Sequence, residues 1–310
     1  VGYMVMGVAS GSVLAFAGGL FHMINHTIYK SNLFLSFGSV EKRSGTAELD
    51  YLGGLGKNMP ITFLMALIGA LSISGIPPFN GFFSKWMIYQ GLIEKTSALA
   101  SGYQLWLLAC IIIAVFGSAL TLASFMKFLH AAFLGRRPDI YKDIKEAPVN
   151  QWLSTGILSL LCIVFGILAV SLPLKYFIYP VVEASGMSIP SFAGLYDPVI
   201  ITLLFAFAFL LGLLIYGLTA KVRYDDVYVG GMPALEKFRI AGTEFYNEVR
   251  NFTLLKSIYN YAEKKYFDLY EMGREFTFSF SGYLQKAHPG QLQLYVLYIV
   301  VGFLIIMLVV

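Results

Sequence analysis

Long apolar runs separated by short polar ones dominate the chain. A helix needs roughly 20 mostly apolar residues to cross a bilayer, and the runs near 12–38, 104–133, 152–172, 199–219 and 292–310 reach that length. Residues 1–9 read as the tail of an earlier helix, closed by a turn at Ser10 and Gly11. Two shorter runs, 60–75 and 79–95, flank the stretch SGIPPFNGF. There Pro77 and Pro78 remove two backbone donors, while Gly75 and Gly81 permit unusual dihedrals. These runs are expected to be two helices meeting at a tight turn. A second interruption is expected around EKTSALASGY, residues 94–103. The runs on either side of it read as two spans or as parts of one discontinuous path.

Residues 236–288 follow a different pattern. Phe245, Val249, Phe252, Leu255, Tyr259, Ala262, Tyr266, Leu269, Gly273, Phe276 and Phe280 step by three or four, the spacing of one helical stripe, and charged residues fill the other faces. The segment is too charged to span. As one helix over 243–285 it would be a rod of about 60 Å, long enough to lie across several neighbouring helices. The plainer alternative is an amphipathic helix resting in the membrane interface. The expected fold class is all-α: a polytopic transmembrane helix bundle with a discontinuous helix and a long lateral amphipathic helix.

Composition supports a membrane protein. Of 310 residues, 57% are hydrophobic and 13% charged, and the formal net charge of +4 gives no reason to expect a nucleic-acid partner. Cys110 and Cys162 lie far apart within apolar runs, which offers neither a zinc quartet nor a cluster ligand set. The chain opens inside an apolar segment with no basic leader, as expected of a sequence that starts mid-protein. Cytoplasmic loops carry the excess of Lys and Arg. Arg136, Arg137, Lys142 and Lys145 follow one span, and Lys221 and Arg223 follow another. These two loops are expected on the cytoplasmic side, with Lys42, Arg43, Lys57, Lys95 and Lys175 on the opposite face and the chain ending outside.

Candidate chemistry begins with HMINHTIYK. His22, His26 and Lys30, four residues apart, form a stripe about 12 Å long on one helix face. Histidine changes charge near neutral pH, and a lysine out of water gives up its proton more readily, so the stripe suits a proton relay. Asn25, Ser31, Asn32 and Ser36 are placed to hold waters along it. The competing reading has the histidines bonding a neighbouring helix and Lys30 reaching to a surface. Lys85, seven residues after Pro78, is a second candidate carrier, because broken membrane helices expose backbone groups beside ion sites. Alternatively it snorkels while Trp86 anchors at headgroup level. Lys127 and His130 are a possible connecting site, with snorkelling of Lys127 equally open. YLGGLGKN has the look of a phosphate loop, but Tyr51 stands where its first glycine belongs and Asn58 where its final Ser or Thr belongs. No catalytic residue, cofactor site or metal site is expected. Hard cations favour carboxylate oxygens, and the candidate set is nitrogen bases, so the path favours protons.

These residues carry a resemblance. GYMVMGVASGSVLAFAGGLFHMINHTIYKSNLFLSFGSV, followed by LGGLGKNMPITFLMALIGALSISGIPPFNGFFSKWMIYQ, resembles the second half of the antiporter-like subunits shared by respiratory complex I, Mrp antiporters and energy-converting membrane-bound hydrogenases. The likeness is specific over residues 2–95 and returns in general form at the amphipathic segment and last span. PPFNGFFSKW is closer to the hydrogenase and Mrp branches. The resemblance implies that Lys30 is the central-axis lysine of a half-channel, that His22 and His26 continue the relay, and that Lys85 is the terminal lysine on the broken helix marked by Gly75, Pro77, Pro78 and Gly81. It also implies a first repeat, supplied upstream or by another chain.

The expected organisation is a channel bundle over 1–150, additional spans over 151–222, the lateral helix over 223–290 and a C-terminal anchor over 291–310. The expected function is proton translocation in a multi-subunit redox-driven complex of hydrogenase, sulfur reductase or NADH-quinone type, multi-pass in the cell membrane with the lateral helix on the cytoplasmic side. Iron-sulfur clusters or other redox centres are expected in partner subunits and none in this chain. Partners are expected to be other membrane subunits and lipid. Two alternatives are a structural subunit that clamps neighbouring pump subunits and an Mrp-type Na+/H+ antiporter subunit.

Overall fold

The computed structural model describes residues 1–97, 101–188, 198–219 and 242–309. Lys221, Arg223 and the first part of the expected lateral segment lie outside the described residues. Those described are helical, with no strand among them. They divide into two units, Val1–Phe245 and Tyr246–Val310.

The first unit is built around α2 (Val13–Ser44), which follows the short α1 (Gly2–Ala9). Ser12 starts α2 by accepting a bond from the Ala15 amide, and Gly45, at φ 78°, closes it in the left-handed conformation that glycine tolerates. At 32 residues α2 is about 48 Å long. Four of its polar side chains face inward: His22, Asn25, Asn32 and Ser36 are all buried.

Next come α3 (Pro60–Ser74) and α4 (Asn80–Ser97). Rather than forming a hairpin, they take consecutive stretches of α2. Gly69 of α3 sits against Leu33 and Asn32. Past the break, Asn80 bonds Asn25, Ser84 meets His22, Met87 packs on Gly18, and Gly91 lies against Ala15. As the chain advances from 69 to 91, its neighbours on α2 run back from 33 to 15. The two helices are halves of one broken crossing, in keeping with the expected discontinuous helix; the tight turn expected between them is instead a break along one path. Close backbone packing keeps the halves in line. A Cβ on Gly81 would fall 1.8 Å from the Ser72 carbonyl oxygen, and one on Gly166 would fall 2.0 Å from that of Pro78.

A single crossing over 60–97 also changes which loops share an end. After α5 (Ser101–Phe133) the chain meets the loop that precedes α3, where the Gly54 amide donates to the Leu134 carbonyl at 2.8 Å. Asn58 donates to the carbonyls of Lys142 and Ile144, and Arg43 donates to that of Glu146. Lys42, Arg43 and Lys57 therefore lie at the same end as Arg136, Arg137, Lys142 and Lys145, not on the opposite face as the sequence led us to expect. Glu146 fastens this end. One carboxylate oxygen accepts from the amides of Ile61 and Thr62, and the other accepts from the Thr62 hydroxyl and the Ala147 amide, capping the first turn of α3.

After α6 (Val149–Ile167) the chain turns at Leu168 and winds on through a π-helical segment, Val170–Ile178, into α7 (Tyr179–Ala184), well past the expected end at 172. Pro173 explains the wider turn. It lacks an amide donor, and the Leu174 amide reaches back five residues to Ala169 at 3.0 Å. Leu174, Ile178 and Val182 then join Leu14, Ala17, Phe21, Phe83 and Met87 in one core cluster, while a second surrounds Tyr29, Leu33, Leu55, Met59 and Phe133. α8 (Pro198–Thr219) follows, and the chain is back at the basic end where Thr243 bonds Asp50. Gly102–Phe133, Val149–Ile167 and Val199–Thr219 are each long and apolar enough to cross a membrane.

In the second unit the expected rod is interrupted. It consists of α9 (Asn247–Arg250), α10 (Thr253–Glu263) and α11 (Leu269–Ala287), followed by the apolar α12 (Leu292–Val309). The stripe spacing runs on, but local chemistry breaks the helix. Lys265 adopts φ 63°, and the Asp268 side chain accepts from the amides of Tyr270 and Glu271 to start α11 afresh. Glu271 then binds Lys265 at 2.9 Å and Arg274 at 2.7 Å. The Lys265 bond holds its carboxyl below the ordinary carboxylate range. α11 meets α12 at 97°, so a bilayer crossed by α12 would hold α11 along its surface.

Gly166→Ala is expected to lower thermal stability in detergent by about 1–3 kcal/mol, because the methyl group meets backbone at the helix break. Gly212→Ala, with nothing within 4 Å, serves as the control and is expected to melt like the parent.

Candidate functional site

α2 supplies the first half of the site. His22 is 2% exposed, with Nδ1 2.9 Å from Ser84 Oγ and Nε2 3.2 Å from the Tyr29 hydroxyl. The His26 ring centroid lies 6.3 Å from that of His22 and 5.4 Å from that of Tyr29. One turn further on, Lys30 Nζ stands 5.4 Å from the centre of the Phe34 ring.

The broken crossing supplies the second half. Lys85 is 4% exposed, so its side chain does not snorkel. Nζ donates to the Ile73 carbonyl at 2.9 Å, the Ser74 carbonyl at 3.4 Å and Ser118 Oγ at 3.0 Å. The first two are carbonyls left unpaired where α3 stops. Gly75, at φ 80°, makes that stop, and a Cβ there would press on the Lys85 side chain at 3.0 Å. Trp86 is not placed as a headgroup anchor either. Its indole nitrogen is buried without a partner, and its ring packs on Phe82.

A cavity of about 940 Å³ joins the halves, with His22, His26, Lys30 and Lys85 all in its wall. Lys127 and His130 do not line it. The His130 ring packs 4.9 Å from Phe245, and its Nδ1 is buried without a partner. Asn25, Asn32 and Ser36, expected to hold waters, bond to protein. Asn25 exchanges bonds with Asn80, and Asn32 reaches Met65, Ser159 and Ser36.

Sequence reasoning missed three residues. The Tyr3 ring lies 5.1 Å from Lys85 Nζ, and its hydroxyl bonds Tyr89, Ser118 and the Ala114 carbonyl. Tyr89 bonds Ser118 as well, at 3.0 Å. Each is a hydroxyl inside an apolar run, Tyr89 and Ser118 beside others in the same run, which says little until the helices are assembled.

Residues 1–121, which hold His22, His26, Lys30 and Lys85 with Tyr3, Tyr89 and Ser118, match the family described as NADH:quinone oxidoreductase/Mrp antiporter, transmembrane. Over that stretch the chain is similar to the antiporter-like family of membrane proteins. It is 36% identical over 181 residues to a Na(+)/H(+) antiporter subunit of Alkalihalophilus pseudofirmus, covering 56% of this chain and 22% of that protein. It is 34% identical over 158 residues to formate hydrogenlyase subunit 3 of Escherichia coli, covering 50% of this chain and 26% of that one. A chain in the structure of the membrane-bound sulfane sulfur reductase, an archaeal respiratory membrane complex, aligns with 98% of this chain and 49% of its own length, at 25% identity and a TM-score of 0.63. The present chain thus spans about a quarter of those curated relatives and about half of that solved chain.

The two cysteines report on the cavity. Cys110 lines it, whereas Cys162 is fully buried in the core. A water-soluble maleimide is expected to label Cys110 at least about tenfold faster than Cys162. Equal inertness, read by mass spectrometry, would mean that the cavity excludes water.

Proposed function

We propose that this chain is a proton-translocating subunit of a multi-subunit, redox-driven membrane complex. The observation that carries the reading is the single cavity wall shared by His22, His26, Lys30 and the buried Lys85. Such a row of nitrogen bases passes protons between waters held in the cavity. Lys30 is the central carrier, the histidines continue the relay, and Lys85 ends it at the helix break. Electron transfer takes place in partner subunits, whose iron-sulfur clusters or other redox centres this chain would not need to hold. The likeness of nearly the whole chain to a subunit of a respiratory membrane complex supports this setting. Seven basic residues, Lys42, Arg43, Lys57, Arg136, Arg137, Lys142 and Lys145, gather at one end, and we assign that end to the cytoplasmic side of the cell membrane.

A second reading, an Mrp-type exchanger subunit working without electron transfer, draws support from the 36% identity to a Na(+)/H(+) antiporter subunit. Copurifying subunits separate the two: redox proteins favour the first reading, and small membrane subunits alone favour the second.

The rival account of Lys85 is structural, a cation that caps α3. Lys85→Met and Lys85→Arg distinguish the roles, with assembly read from copurified subunits and function from proton uptake per electron in reconstituted vesicles. A carrier must release its proton, so both variants are expected to assemble and to lose about tenfold or more of the uptake. His22→Gln, which keeps hydrogen bonding without protonation near neutral pH, is expected to lower uptake in the same way. Full uptake in Lys85→Arg would overturn the carrier assignment.

A further inference from the structure

Lys85 is held by acceptors of two chemical kinds. An ammonium group has three protons to give. Two of them meet the Ile73 and Ser74 carbonyls at 2.9 and 3.4 Å, and the third meets Ser118 Oγ at 3.0 Å. A backbone carbonyl accepts a hydrogen bond but has no proton of its own to send on. A hydroxyl takes one proton and gives another. Of the three acceptors, Ser118 is therefore the one through which a proton can pass.

Ser118 is also placed to pass it further. It lies on α5 one turn after Ala114, whose carbonyl is the acceptor to which a helical serine commonly turns back. Here that carbonyl takes the Tyr3 hydroxyl. Ser118 Oγ stands 2.8 Å from the Tyr3 hydroxyl and 3.0 Å from that of Tyr89. Both lie within the reach of about 2.6–3.2 Å over which side chains exchange protons. Tyr3 lines the cavity that holds His22, His26 and Lys30. Its ring is 5.4 Å from the His22 ring and 5.1 Å from Lys85 Nζ, within reach of both. The serine that His22 itself touches leads away from the lysine. Ser84 Oγ, 2.9 Å from Nδ1, turns to the carbonyls of Asn80 and Gly81.

We propose that Ser118 and Tyr3 form the proton passage between Lys85 and the cavity. The transfer runs in concert. The Lys85 N–H bond breaks as an O–H bond forms on Ser118, and the proton that Ser118 already held moves to the Tyr3 oxygen. Tyr3, its O–H turned from Ala114 towards the cavity, gives its own proton to a water there. Lys85 is left a neutral amine, the water becomes hydronium, and each hydroxyl ends with one proton as it began. The reverse sequence recharges the lysine. The passage rests on the reading of Lys85 as a carrier.

The test uses the full chain in its complex, reconstituted in vesicles, with assembly read from copurified subunits and function from proton uptake per electron. Ser118→Ala removes the hydroxyl. Ser118→Asn offers Lys85 an amide oxygen that accepts but carries no proton, and Tyr3→Phe keeps the ring beside Lys85. All three are expected to assemble and to lose about tenfold of the uptake. Ser118→Thr, which keeps a hydroxyl, is expected to retain it. A serine that only anchors the ammonium is replaced well by Asn, so full uptake in Ser118→Asn would overturn the passage. Full uptake in Ser118→Ala or Tyr3→Phe would do the same. Should the Ser118 variants fail to assemble, Tyr3→Phe decides alone, because its hydroxyl is not an acceptor of Lys85. Lys85→Met, run alongside, separates the two readings. Loss there with full uptake in Tyr3→Phe overturns the passage alone, whereas full uptake there overturns the carrier role beneath it.

Discussion

An ammonium group that is 4% exposed must have its charge met, and the broken crossing is what meets it. Among the described residues no acidic side chain forms an ion pair with Lys85, and the carbonyls freed at the end of α3 take that part. Closing the break into regular helix would pair those carbonyls internally and strand the lysine. Much of the surrounding architecture serves the break. Gly81 and Gly166 let backbones approach it, Asn25, Ser72 and Asn80 bond across it, and Tyr3, Tyr89 and Ser118 surround the Nζ that it fixes. The site is thus assembled from five helices, α1 to α5, none of which could hold the charge alone.

The stripe of His22, His26 and Lys30 was legible because helical periodicity puts residues four apart on one face whatever the helix packs against. The break was equally legible from Gly75, Pro77 and Pro78. What the break does was not. A Gly-Pro interruption looks the same whether the chain reverses or continues beyond it, and only the partners along α2, Asn32 to Ala15, tell the two apart. That single ambiguity put Lys42, Arg43 and Lys57 at the wrong end, since each misread crossing inverts every loop that follows. The hydroxyl group around Lys85 was invisible for another reason: Tyr3 and Ser118 are 115 residues apart, and no local pattern links them.

The second unit teaches a related lesson. The three-and-four spacing of its stripe persists from Val249 to Phe280, yet the helix stops at Glu263 and restarts at Leu269. Periodicity records which face a residue would occupy if the helix ran on. Continuity is decided more locally, here by an aspartate that accepts two amides and a lysine with positive φ. The Lys265, Glu271 and Arg274 cluster spans that joint at the surface, where solvent screens such pairs and they contribute little.

One short helix has an electrostatic consequence beyond its packing. α3 is 15 residues long, about 22 Å, and a charged side chain closes each of its ends. The Glu146 carboxylate sits on the amides of its first turn and the Lys85 ammonium on the carbonyls of its last. A helix carries a partial positive charge at its start and a partial negative charge at its finish, so both contacts run with its dipole. α3 is therefore a polarised strut between the basic surface loops and the buried lysine. An axial shift of the strut disturbs both ionic contacts at once, which ties the position of the loop after α5 to the charge environment at the centre of the bundle.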